Sequence, residues 1–159
     1  MKPLTTLTAP VGARLKAADQ TVCVAESSTG GLISASLLAV PGASAYFVAG
    51  AVVYSMRSRK VLMQIRSEDF EGLEPLTEAM ALRFAQVARA QMNTTWAIAE
   101  LGVAGPGPAR YGHAAGLSVI AVDGPVSRAI TVNTGSDDRE GNMWAFSDAA
   151  LQLLGELVP

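Results

Sequence analysis

Ala25-Glu26-Ser27-Ser28-Thr29-Gly30-Gly31 is the stretch on which the reading of this chain turns. A short β-rich run, Thr21-Val22-Cys23-Val24, leads into it, and an apolar run from Leu32 to Val40 that reads as helix leads out. Hydroxyls and two glycines between a strand and a helix can form an anion site. Glycine permits positive φ and close backbone approach. The first amides of a helix lack partners within it and point at whatever lies there. The same residues also fit a plain helix cap, since Ser or Thr before an apolar run satisfies those amides. From these residues alone, cap and ligand loop both stand.

Working outward, residues 8–19 read as a first helix, with Val11, Leu15 and Ala18 on one stripe. Thr21–Ala25 reads as a strand apolar enough to be buried on both faces. Pro41-Gly42 ends the second helix, and Ala43-Ser44-Ala45 is a loop or a new helix start. A second strand is expected over Ala49–Ser55, a short basic helix over Arg57–Ile65 and an acidic connection over Ser67–Glu74. Pro75–Met92 carries the clearest helical period, with Leu76, Met80, Phe84 and Val87 in line. Trp96–Leu101 reads as a strand, and Gly102–Ala115 as a Gly/Pro-rich loop of a length usually reserved for function. Gly116–Val122 and Val126–Asn133 form a hairpin pattern around Asp123-Gly124-Pro125. Gly135–Gly141 is a polar loop, and Trp144–Leu157 a closing helix. Strands alternating with helices before a hairpin predict an α/β layered domain with a mixed sheet, a single domain over 1–159.

The 159 residues, half of them hydrophobic and 16% charged, are enough for one real core and argue against disorder. A formal net charge of -2 argues against a general nucleic-acid binder. One Cys and one His leave no internal disulfide and make a zinc site improbable, so no metal and no cofactor are expected. The N-terminal residues have no apolar signal-like core, and the longest apolar run, Ala45–Tyr54, is too short to cross a bilayer. A cytoplasmic protein without a membrane partner is the expectation. His113 sits in the long loop beside Gly112, where an exposed histidine is expected rather than a catalytic one.

Chemistry is left to the two glycine loops, 26–31 and Gly102-Val103-Ala104-Gly105-Pro106-Gly107, both following apolar strands. In open α/β sheets, ligands bind beyond the carboxyl ends of strands. Ser44, Tyr54 and the run Arg57-Ser58-Arg59-Lys60 add a hydroxyl, a phenol and cations. That set suits a phosphate-bearing ligand, or a serine nucleophile with a lysine base. The basic run alone reads equally as a solvated helix face.

At these residues the chain resembles the C-terminal domain of the CinA family, the competence/damage-inducible proteins that include the nicotinamide-nucleotide amidohydrolases. The resemblance rests on Ala25-Glu26-Ser27-Ser28-Thr29-Gly30-Gly31, Pro41-Gly42-Ala43-Ser44, Tyr54-Ser55, Gly102-Val103-Ala104-Gly105-Pro106 and Ala114-Ala115-Gly116, in order from about residue 10 to 155. It implies a three-layer α/β/α sandwich with a mixed, mainly parallel five-stranded sheet, usually in a homo-oligomer. It also implies hydrolysis of the carboxamide of nicotinamide mononucleotide to nicotinate mononucleotide and ammonia. Ser44 would be the nucleophile and Tyr54 a neighbour orienting it. Glu26, Ser27, Ser28, Thr29, Gly30, Gly31, Gly102, Ala104, Gly105 and Arg139 would seat the nucleotide. The family's base is a lysine five residues after the tyrosine. Here Arg59 stands at that position and Lys60 one further on, and Leu101 replaces the threonine of the second loop. Arginine keeps its proton and cannot act as a base. Two readings follow: an amidohydrolase that recruits Lys60, or a catalytically degenerate relative that binds a nucleotide or a protein partner.

Overall fold

The computed structural model describes residues 3–110 and 112–159. Five strands form one sheet in the order β2-β1-β3-β4-β5: β1 Val22–Glu26, β2 Phe47–Val52, β3 Trp96–Val103, β4 Leu117–Asp123 and β5 Arg128–Asn133. β1 pairs parallel with β2 and β3, whereas β4 pairs antiparallel with both β3 and β5. Four strands therefore run one way and β4 runs against them. All five β1 residues are buried, as expected of a central strand covered on both faces.

Helices α1 (Thr8–Ala17), α2 (Leu32–Leu38) and α5 (Arg139–Leu157) cover one face, around Leu15, Val24, Ile33, Ile98 and Leu154. Helix α4 (Glu78–Met92) covers the other, with Phe84, Ala85 and Ala88 against Cys23, Ala97 and Val119. Short α3 (Met56–Leu62) follows β2. The result is the expected α/β/α sandwich. No helix among the described residues is long and apolar enough to cross a membrane.

Several boundaries differ from the sequence reading. β2 begins two residues earlier than expected, and the acidic connection contains a one-turn 3-10 helix over Ser67–Phe70. α4 does not start at Pro75. Leu76 has φ +52°, outside the helical region, and Thr77 caps the helix by accepting the Met80 amide. α5 begins at Arg139, five residues before the apolar period is visible, with Glu140 in its favourable first turn.

Candidate functional site

The 26–31 loop is built on two buried glutamates. Glu26, fully buried at the end of β1, accepts the amides of Gly31 (3.0 Å), Ile33 (3.2 Å) and Ser34 (3.0 Å) and the hydroxyls of Thr29 (2.7 Å) and Ser34 (2.6 Å). Its carboxyl group occupies the place that an external anion would take at the start of α2. The Gly30 amide donates to the Ser27 carbonyl. The expectation that the Gly30 and Gly31 amides wait for a phosphate is thereby corrected. The cap reading holds, but the capping side chain comes from the strand before the loop.

Glu100, also fully buried, is the second anchor and lies on β3. It accepts the Ser27 amide (3.0 Å), the Thr29 amide (3.1 Å) and the hydroxyls of Ser28 and Ser118, and shares with Glu26 the single proton of the Thr29 hydroxyl. A Cβ on Gly102 would lie 2.5 Å from Ser28 Oγ and 2.8 Å from Glu100 Oε1, so this position needs glycine to admit both groups. Asn142 does the same work for the second loop: its Nδ2 donates to the carbonyls of Ala104 and Ser136, both at 2.9 Å. Arg139 Nη1 donates to the Gly105 carbonyl. Gly105 itself has φ +104°, and a Cβ there would meet the Asp137 carbonyl oxygen at 2.9 Å. The peptide joining it to Pro106 is cis.

Between these braced loops, beyond the carboxyl ends of β1, β2 and β3, lies an open groove. One lobe of about 700 Å³ is lined by Ser27, Tyr54, Arg57, Arg59, Met80 and Arg110, among others. The adjoining lobe, about 360 Å³, has Ser28, Tyr54, the backbone from Gly102 to Gly105, Arg110 and Arg139. Four arginines thus line the groove, and among the described lining residues there is no Asp, Glu, His or Lys. Tyr54, 61% exposed, stands where the lobes meet.

The predicted site residues divide accordingly. Tyr54, Arg59, Ser27, Ser28, Gly102, Ala104, Gly105 and Arg139 line the groove. Glu26, Thr29, Gly30 and Gly31 support it from behind and do not line it. Arg59 is held in place: its Nε donates to the Val53 carbonyl (3.2 Å), and its guanidinium carbon lies 5.2 Å from the centre of the Phe84 ring. Exposed Lys60 lines a neighbouring cavity of about 240 Å³, which shares Met56, Arg59 and Met80 with the groove.

Ser44 stands apart from these residues in the single chain. It lies in a one-turn helix, Ala43–Ala45, before β2, where the Val22 amide donates to the Tyr46 carbonyl (2.8 Å) at the amino end of β1. The groove lies at the opposite end of these parallel strands. Five residues at ~3.3 Å each separate the two ends by ~16 Å. Within one chain, Ser44 does not join the loops. Partly buried His113 does not line the groove.

Sequence reasoning missed Glu100, Asn142 and Arg110, whereas Arg57 belongs to the basic run singled out above. Glu100 carried one usable signal, an acidic residue inside an otherwise apolar strand, where a lone charge is rarely buried without a purpose.

A family model, the CinA C-terminal domain, matches residues 4–158. The CinA-like protein of Parasynechococcus marenigrum is 37% identical over 84% of this chain, and that of a Synechocystis strain is 33% identical over 96%. The chain spans about a third of the length of these curated relatives, 32% and 36% respectively. Among solved structures, a CinA superfamily protein of Klebsiella pneumoniae superposes with a TM-score of 0.88 at 25% identity, over 99% of this chain and 98% of that one. A competence damage-inducible protein A from the same species gives 0.87 at 27% identity, over 98% and 97%.

Proposed function

We propose, for a chain that belongs to the CinA C-terminal domain family, that the arginine-lined groove binds a phosphate-bearing mononucleotide and turns it over slowly or not at all. Nicotinamide mononucleotide is the ligand to which the family resemblance points. The observation that carries this reading is the charge of the groove: Arg57, Arg59, Arg110 and Arg139 converge on it, with no carboxyl group among the described lining residues. A guanidinium offers a planar fork of donors that matches a phosphate, and its charge persists at any accessible pH. The Gly102–Gly105 backbone provides a close approach beside Arg139, and Met56, Leu76 and Met80 give the larger lobe an apolar wall for a flat ring.

Hydrolysis of a carboxamide needs a group that takes a proton from the attacking hydroxyl or water. Arg59 cannot do this, and no amine, imidazole or carboxyl group lines the groove among the described residues. General-base assistance is worth ~10²–10⁴-fold in rate. The second reading, amidohydrolysis with Lys60 as the base, draws on the cavity that brings Lys60 beside Arg59. Ammonia release from nicotinamide mononucleotide separates the two. The first reading expects release close to background, raised at least tenfold by Arg59→Lys. Fast release by the wild type, abolished by Lys60→Ala and kept by Arg59→Ala, would establish the second reading and overturn the first.

A further inference from the structure

The cations of this chain fall into two groups. Away from the groove, Arg66 pairs with Glu68 and Asp69, Arg89 with Asp123, and Arg128 with Glu156. On the groove, Arg57, Arg110 and Arg139 have no carboxylate partner among the described residues. Together with Arg59 they place four positive charges on one cavity that no acidic side chain lines among the described residues. A phosphate monoester brings about -1.5 to -2 at neutral pH, which answers less than or about half of that charge.

The four arginines are also divided in space. The smaller lobe holds Arg139 beside the Gly102–Gly105 backbone, and the larger holds Arg57 and Arg59 beside Met56, Leu76 and Met80; Arg110 lines both. A phosphate suits the first set and a flat base the second, so the base end of the ligand meets two guanidinium groups. Arg59 is fixed there in advance. Its Nε donates to the Val53 carbonyl at 3.2 Å, and its guanidinium carbon lies 5.2 Å from the centre of the Phe84 ring. A fork held in this way loses little freedom when a ligand binds. A carboxamide brings no negative charge to these groups. The ring nitrogen of nicotinamide mononucleotide, quaternary through its bond to the sugar, brings a positive one, and like charges in one cavity repel.

We infer that the groove selects a mononucleotide carrying a second anionic group, a carboxylate on its base, over the corresponding carboxamide. Arg139 and Arg110 take the phosphate. Arg59 and Arg57 take the carboxylate, for which a guanidinium offers two parallel donors. This inference rests on the groove being the mononucleotide site and deepens that reading. A cavity lined by arginines and without a proton acceptor holds the hydrolysed form of such a ligand more tightly than the hydrolysable one, in keeping with slow turnover.

Calorimetric titrations with nicotinate mononucleotide and nicotinamide mononucleotide test it, because the two share sugar, phosphate and ring and differ in this one group. The acid should bind the wild type about tenfold more tightly or better, and the ratio should shrink as salt rises. Arg57→Gln, at an exposed residue, should bring the ratio towards one by weakening the acid alone. Arg59→Gln should do the same, with unchanged far-ultraviolet circular dichroism marking an intact fold. Arg139→Gln should weaken both nucleotides alike. Equal or tighter binding of the amide, or a preference for the acid that survives both Arg57→Gln and Arg59→Gln, would overturn the inference and leave the mononucleotide reading standing. Failure of both nucleotides to bind at millimolar concentration would overturn that reading, and the inference with it.

Discussion

At the residue scale, Glu26 shows how a side chain can take the place of a ligand. Five donors converge on it, three of them amides at the start of α2. Glu26→Gln keeps the shape but puts an NH₂ where only an acceptor fits, leaving buried donors unmet at ~1–3 kcal/mol each. Urea unfolding should show a loss of ~2–4 kcal/mol. A variant as stable as the wild type would mean that the network is incidental. The Ala25–Gly31 stretch was legible as strand, loop and helix from its residue types. What could not be read was the identity of the capping group. Ser34 and Ile33 lie within a turn or two of Glu26, but Glu100 reaches the loop from 73 positions away in sequence, and no local pattern encodes that contact.

At the element scale, the coupling between β2 and α2 is set by Gly50. A Cβ there would lie 2.2 Å from Ser34 Oγ and 2.8 Å from Ser34 Cβ. Because Ser34 Oγ donates to Glu26, Gly50→Ala must displace α2 from its cap as well as from the sheet. We expect a destabilisation of ~2 kcal/mol or more, typical of overpacking, partly recovered by Ser34→Gly. Equal stability of Gly50→Ala and wild type in thermal melts would refute the coupling. Elements with strong periods were legible: α4 from its Phe84 stripe, β1 from its unbroken apolar run. The first turn of α5 was not, because Arg139-Glu140-Gly141-Asn142-Met143 has no apolar repeat. That turn carries both Arg139, which only the family resemblance marks, and Asn142, which stayed hidden where helix periodicity gives no signal. The distance of Ser44 from the groove of its own chain was hidden for a related reason. Motif order along a chain does not tell which end of a parallel strand a residue occupies.

At the scale of the whole molecule, burial couples stability to pH. Burial pushes the Cys23 thiol up from its ordinary 9.0, against a smaller opposing hydrogen bond from Thr94, and raises the Tyr46 phenol above its ordinary 10.0. Folding raises both values, so the folded state holds these protons more tightly. The associated stability is full below the ordinary values and falls as pH rises through and beyond them. Unfolding midpoints in urea should therefore drop above about pH 9, and Cys23 should resist thiol reagents at pH 8 until the chain unfolds. Rapid labelling of the native protein would contradict this.

The groove's charge is also a property of the assembled molecule, since its four arginines come from three separate regions of the sequence. The most direct test is calorimetric titration of nicotinamide mononucleotide into the wild type and Arg139→Ala at low and high salt. We predict saturable binding to the wild type that weakens as salt rises and falls at least tenfold in Arg139→Ala. Absence of binding at millimolar ligand, or binding indifferent to both salt and Arg139, would contradict a phosphate-recognising groove.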